Sequence, residues 1–224
     1  LAILENDLES AIVQCLSDQN IGTLVYYQNE KNRIEESFDA RPITIFEMRN
    51  PVFLNTIIAK TFQINYNKAL KEKIIELRGK GAKTQIETLR DKWIPKLREK
   101  WQRIYDLLTV EEYKESMDKL KTEWMQEDIN EYIDALSYGF YDNRDNLVVT
   151  HNDIQECNVL SMRENATQLA LIDYEYTTLG NREFDLANIF CELGTDNAYP
   201  YYPYIAIYPE NLLTEDEYHT YSKD

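Results

Sequence analysis

The sequence predicts an α+β fold: a short strand-containing segment behind an opening helix, a long mainly helical middle, and further short strands and helices after it. Three observations predict it. The chain opens with an amphipathic helical pattern followed by two short stretches rich in β-branched and aromatic residues. Helical periodicity then dominates from about Arg49 to Gly139. Past Gly139 short strand patterns return, and they enclose a polar run denser than a connection needs.

Each element has its own signal. Leu1, Leu4, Leu8, Ala11, Ile12 and Leu16 recur at helical spacing, so residues 1–20 read as one helix ended near Gly22. "TLVYY" (23–27) reads as a strand, "QNEKN" as a polar turn and "RIEESF" (33–38) as a second strand. Two strands after a helix look like the end of a small sheet. Its earlier strands are expected upstream of Leu1, and the lack of an initial methionine points the same way. "NPVFLNTIIAKTFQI" (50–64) is a helix with Asn50 as cap and Pro51 at the first position. "GKGAK" (79–83) is a turn. It lies between helices and lacks phosphate-loop spacing. Residues 84–108 form a helical stretch interrupted or kinked near Pro95, and residues 109–136 form another, with Thr109 and Glu112 as a capping box. "NLVVT" (146–150), "NVLSM" (158–162) and "LALIDYEY" (169–176) are strands, the last two joined through the turn "RENATQ". "NREFDLANIFCEL" (181–193) is a helix. "AYPYYPYIAIYP" (198–209) is irregular because its prolines interrupt regular pairing, and its tyrosines are expected mostly to pack. A last helix starts after Leu212.

Composition narrows the function. The 224 residues are 43% hydrophobic, enough for one sizeable core or one and a half domains. The net charge of −16 argues against nucleic acid and anionic membranes as partners, because phosphate contacts need Lys and Arg. It suits a small cationic ligand, and equally a protein kept soluble by excess acid. Cys15, Cys157 and Cys191 are widely spaced and odd in number, which reads as reduced thiols in a cytoplasmic protein. No apolar run approaches the length of a membrane span, and no signal peptide opens the chain, so no membrane insertion is expected.

The chemistry concentrates in two segments. "HNDIQECN" (151–158) follows one strand, and Asp173 ends the apolar run of "LALIDYEY". Together they offer three oxygen donors or bases on adjacent segments: Asp153, Asn158 and Asp173. Magnesium prefers one or two carboxylates plus substrate phosphates. Phosphoryl transfer needs a carboxylate to orient an acceptor hydroxyl and take its proton. Asn and Asp are also ordinary turn residues. The pairing of the two segments in this order is what favours a site over a polar turn.

"HNDIQECNVL", then "LALIDYEYTTLGNREFDLANIFCE", closely resembles the choline/ethanolamine kinase family. The family pattern is a His-Asn-Asp loop with Asn five residues after the Asp, an Ile-Asp-Phe/Tyr-Glu-Tyr segment, and "FD-x-x-N-x-F-x-E". All three occur in order over about fifty residues. Upstream, "ESAIVQCLSDQNIGTLVYY" is similar to the family's αC-like helix and following strand, and "RIEESF" to its interlobe hinge. The resemblance implies a protein-kinase-like two-lobed fold, with residues 1–40 as the remainder of the β-containing N-lobe and 41–224 as the C-lobe. It implies transfer of the γ-phosphate of MgATP to the hydroxyl of choline, the first step of phosphatidylcholine synthesis through CDP-choline. The alternatives are ethanolamine kinase, an aminoglycoside-type phosphotransferase and a non-catalytic kinase-like binding module.

The resemblance also assigns roles. Asp153 is the catalytic base and adds negative charge beside the substrate cation. Gln155 lies near the transferred phosphate. Asn158 and Asp173 hold magnesium. Glu9 is the αC acid that pairs with a phosphate-binding Lys or Arg, and Glu36 and Phe38 flank the adenine. Tyr176 and Glu192 contact the acceptor's ammonium, where a quaternary group needs aromatic faces and carboxylates. His151 and Asp185 brace the loop rather than react, and His219 is expected to be solvated. The partners implied are ATP and choline or ethanolamine, with a homodimer as the candidate assembly. The sequence departs from the family in four places. Cys157 replaces a glycine, which the loop tolerates if that position needs no positive φ. Asn197 lies about where an aromatic is common. The residues given include no glycine-rich nucleotide loop with its lysine, and they do not reach the region where the family supplies tryptophans.

Overall fold

The computed structural model describes residues 6–29, 32–79, 81, 83–124, 131, 133 and 146–221. Leu1 and Leu4 of the first expected helix, most of 125–136 in the third, and residues 222–224 lie outside them. The chain forms two compact units, Leu1–Ala82 with Val148–Asp224, and Lys83–Leu147.

The larger unit opens with α1 (Asn6–Asp18), whose Ile12 and Leu16 are fully buried. Two strands follow, β1 (Val25–Gln28) and β2 (Arg33–Glu35), paired antiparallel. "RIEESF" is thus strand only in its first half. Next come β3 (Ala40–Pro42), a short α2 (Ile45–Met48), α3 (Pro51–Asn65) and α4 (Lys68–Arg78). α3 starts as its sequence dictates: the Asn50 side chain accepts from the Val52 N–H, and Pro51, with no N–H to lose, takes the first turn. Leu54, Ile57, Thr61 and Ile64 make its buried stripe. α4 is capped by Asn67, which accepts from the Leu70 N–H at 3.0 Å.

After residue 147 come β4 (Val148–Thr150), β5 (Val159–Met162), β6 (Leu169–Leu171), β7 (Thr178–Gly180) and α8 (Arg182–Glu192). The two-residue strands β8 (Thr195–Asp196) and β9 (Ala206–Ile207) pair with each other, and α9 (Glu215–Tyr221) closes the described chain. β5 and β6 form the expected hairpin, with β3 added on the other edge of β5. Pro42 sits on that outer strand, where a missing N–H costs no ladder bond. β4 pairs with β7.

Several expectations change. "LALIDYEY" is not one strand: it stops at Leu171 because Asp173 takes a left-handed backbone, φ 65°, and a turn follows with Thr177 N–H donating to the Tyr174 carbonyl. Asn158 belongs to a 3-10 turn, Glu156–Asn158, rather than to β5. Of the tyrosines in 198–209, Tyr201, Tyr202 and Tyr204 are exposed rather than packed, because the prolines hold this strip on the surface. Among the described residues no helix is long and apolar enough to cross a membrane.

The smaller unit contains α5 (Gln85–Thr88), a π-helical segment Leu89–Trp93, α6 (Ile94–Leu107) and α7 (Glu111–Trp124). The interruption expected at Pro95 lies just before it. The Ile94 N–H reaches back five residues to the Leu89 carbonyl, and the ladder shifts into π register where proline cannot donate. α7 begins at Glu111, with Val110 rather than Thr109 before its first turn.

Candidate active site

The polar run is held from both sides. β4 delivers His151, Asn152 and Asp153 at its end. The β5–β6 register, Val159 opposite Leu171, continues one step so that the Ile172 N–H donates to the Asn158 carbonyl at 3.0 Å. Asn158 and Asp173 therefore meet at the open end of one hairpin, although fifteen positions apart in the chain. β7 then returns to pair with β4 and closes the frame.

The loop backbone is gripped by α8. Asp185 is 0% exposed and accepts from the His151 N–H at 3.0 Å, the Asn152 N–H at 2.8 Å and the Asn65 side chain at 2.7 Å. One turn later on the same helix face, Asn188 Oδ1 accepts the Ile154 N–H at 2.6 Å. Residues three apart on a helix present neighbouring acceptors, so "FDLAN" holds loop N–H groups on both sides of Asp153. Burial pushes the Asp185 carboxyl up, and its three donors oppose that shift. The Asn65 amide also donates to the Val149 carbonyl at 2.7 Å, tying α3 to β4.

His151 and Asn152 hold the loop to the Asp173 segment. His151 is fully buried, its Nε2 lies 3.1 Å from the Ile172 carbonyl, and burial lowers its pKa to about 4. A ring so held is neutral and braces rather than transfers protons. Asn152 takes φ 69° and donates to the carbonyls of Thr150 and Tyr176 at 3.2 and 2.9 Å. Asn and Asp tolerate this conformation best, and two such residues at one site mark stored strain.

Asp153 emerges from this frame half-buried. Asn158 Nδ2 donates to its carboxylate at 2.8 Å and to its carbonyl at 3.0 Å. Burial pushes the Asp153 carboxyl up, hydrogen bonds from Gln155 and Asn158 oppose this, and the charge of Asp173 adds to it. With the Asn158 amide nitrogen committed to Asp153, its oxygen is the atom left to face a cation. Asp173 is exposed and lines the adjoining cleft. One amide oxygen and one carboxylate fit magnesium, which keeps waters and substrate phosphates as its other ligands. Among the described residues no cluster of three or more acid, His or Cys groups suited to a metal is present. Cys157 sits in the 3-10 turn, without a positive φ, so the residue that replaces glycine costs the loop nothing in backbone strain.

Beside Asp173 opens a cleft of about 360 Å³, within the size range of small-molecule pockets. It is lined by Glu9, Glu36, Phe38 and Asp173, so the three expected nucleotide-side residues are brought together, with Thr23, Leu160 and Tyr174 among the walls. Sequence reasoning missed Arg33, which also lines it. Arg33 donates to Glu9 at 3.0 Å and pairs with Glu35. Its signal was an arginine among polar positions of a short strand, which alone implies nothing.

Glu192 is half-buried and near enough to Asp153 and Glu156 to feel their charges. Its carboxyl is pushed up by burial, opposed by a hydrogen bond from Asn197, with the charges of Glu156 and Asp153 adding to the rise. Tyr176 lies close enough to Asp153, Asp173 and Glu175 for their charges to raise its hydroxyl pKa after burial, the larger cause. Glu156, 1% exposed, was also missed: it accepts from Asn197 and ties the 3-10 turn to the chain after β8. His219 is exposed, as expected.

The family model for choline/ethanolamine kinase matches residues 2–224. A choline/ethanolamine kinase from Homo sapiens is 26% identical over 215 residues, covering 94% of this chain and 48% of the relative. The chain therefore spans about half the length of the curated relatives it matches. In fold it is similar to a choline kinase from Cryptosporidium parvum, with TM-score 0.64, 23% identity, and coverage of 95% of this chain and 58% of that one. It is also similar to an aminoglycoside phosphotransferase from Alicyclobacillus acidocaldarius, with TM-score 0.51, 15% identity, and coverage of 84% and 58%. The protein-kinase-like fold expected from the sequence is thereby met, and with the family model matched over residues 2–224 the chain belongs to the choline/ethanolamine kinase family.

Proposed function

We propose that the protein is an ATP-dependent phosphotransferase that moves the γ-phosphate of ATP to the hydroxyl of choline, with ethanolamine as the second acceptor to test. The observation that carries this reading is the placing of Asp153: its loop N–H groups are gripped by Asp185 and Asn188, and its carboxylate is held by Asn158 beside Asp173.

In this reading Asp153 orients the acceptor hydroxyl and takes its proton as the O–P bond forms. A carboxylate raised by burial is the better base for that step. Asn158 and Asp173 would hold magnesium, which when bound neutralises charge on the phosphate oxygens. Gln155, whose Oε1 is buried without a partner, would lie near the transferred group. Glu9, Glu36 and Phe38 line the nucleotide side, with Glu36 and Phe38 flanking adenine. Tyr176 and Glu192 face the ammonium of the acceptor. His151 and Asp185 keep the loop in shape. On the same reading residues 1–40 belong to the strand-bearing lobe and 41–224 to the helical lobe. The protein works in the cytoplasm, as a homodimer if it follows the resemblance.

The test couples ADP release by the intact protein to choline, ethanolamine and an aminoglycoside in turn. ADP release that depends on choline and magnesium is expected. Release with the aminoglycoside alone moves the protein to another acceptor class. ATP binding without release for any acceptor supports a non-catalytic module.

A further inference from the structure

The residue after β8 reaches back to the acceptor side of Asp153. The Asn197 backbone N–H donates to Glu156 Oε1 at 2.6 Å. Its side-chain Nδ2 donates to Glu156 Oε2 at 3.3 Å and to Glu192 Oε2 at 3.0 Å. The other oxygen of Glu192 accepts from Asn188 Nδ2 at 3.4 Å. One amide therefore joins two carboxylates. One is buried in the turn that carries Asn158, and the other stands at the acceptor end of the reaction centre. Asn188 belongs to the same grip, since its Oδ1 holds the Ile154 N–H next to Asp153.

Two carboxylates held this close repel, and N–H donors between them keep both charged and oriented. The geometry matters for what the acceptor's cation must offer. A quaternary ammonium has no N–H and gains mainly from aromatic faces. An ammonium that carries N–H groups donates directly to carboxylate oxygens, and such charge-assisted bonds are strong and directional. Here the acceptor end is built from an amide-braced carboxylate, with Tyr176 as the aromatic assigned to it. The Asn197 amide supplies orientation of Glu192.

We propose that Asn197 is a specificity-determining residue that positions Glu192, and so sets how well ammonium groups bearing N–H are bound relative to quaternary ones. This rests on the phosphotransfer reading above. Asn197 acts through Glu192 rather than on the reacting atoms, so its signature is a selective change in one acceptor's KM.

The test measures kcat and KM of the intact protein for ethanolamine, choline and MgATP in the wild type, N197L and N197Q. N197L keeps the bulk and the backbone N–H bond to Glu156 but removes the Nδ2 donor. It is expected to raise the ethanolamine KM about tenfold, the effect of losing one hydrogen bond to a charged group. The KM values for choline and MgATP should stay within about threefold. N197Q keeps an amide, recovers most of the loss, and serves also if N197L folds poorly. Equal changes for both amines, or no change for either, overturn the specificity role while wild-type turnover leaves the phosphotransfer reading standing. A wild type that transfers phosphate to neither amine overturns both.

Discussion

Asp153 owes its position to neighbours that grip the loop on both sides of it. Asp185 and Asn188 fix the backbone on either side of it, and Asn158 fixes its carboxylate. Replacing Asp185 with alanine strands three donors, the N–H groups of His151 and Asn152 and the amide of Asn65, in a buried place. Unsatisfied buried donors cost roughly 1–3 kcal/mol each, partly relieved by entering water. D185A is therefore expected to lower unfolding stability by about 3–5 kcal/mol in urea titration. A loss below about 1 kcal/mol would show that the grip is not what holds the loop. Much at this scale was legible in the sequence. Asp153, Asn158 and Asp173 were legible as a cluster of oxygen donors from their types and order, and His151 and Asp185 were expected as braces from the family resemblance. Asn65, Glu156 and Arg33 were not legible, because each acts through a partner far along the chain: Asn65 through Asp185, Glu156 through Asn197, Arg33 through Glu9. A polar residue on the buried stripe of α3 was the one available hint, and it names no partner.

Among elements, two short ladders aim the loop: β5 with β6, and β4 with β7. The first was legible because its strands are adjacent in sequence and joined by a polar turn. The second was half legible: "NLVVT" read as a strand, but its partner β7 has only three residues and lies after a turn that looked like strand. β3 was missed for the same reason. Gly180 shows how closely β7 approaches β4. A Cβ there would sit 3.0 Å from the Thr150 hydroxyl oxygen and 3.2 Å from its methyl carbon, and Thr150 is fully buried directly before His151. G180A must push Thr150 aside, an overpacking cost of about 1–2 kcal/mol. The expected result is a lower Tm and a kcat reduced more than the KM for MgATP. An unchanged Tm and unchanged kinetics would mean that this ladder does not set the loop.

At the scale of the molecule, both the β-containing and the helical character were readable from periodicity, and the acidic excess was readable from composition. A net charge of −16 favours approach by small cations and disfavours nucleic acid, in keeping with the amino alcohol proposed as acceptor. What periodicity could not give is the convergence of the site. Glu9, the Glu36–Phe38 segment and Asp173 come from three separate stretches and share one cleft only after folding. The central claim is that the Asp153 carboxylate drives phosphoryl transfer within that convergence. It is tested most directly by comparing wild type and D153N in the intact protein, measuring transfer of labelled γ-phosphate to choline and binding of MgATP in parallel. The amide keeps the shape but is not a base. Turnover should fall by about a hundredfold to ten-thousandfold, while MgATP affinity stays within a few-fold. D153N turnover within threefold of wild type would contradict the account.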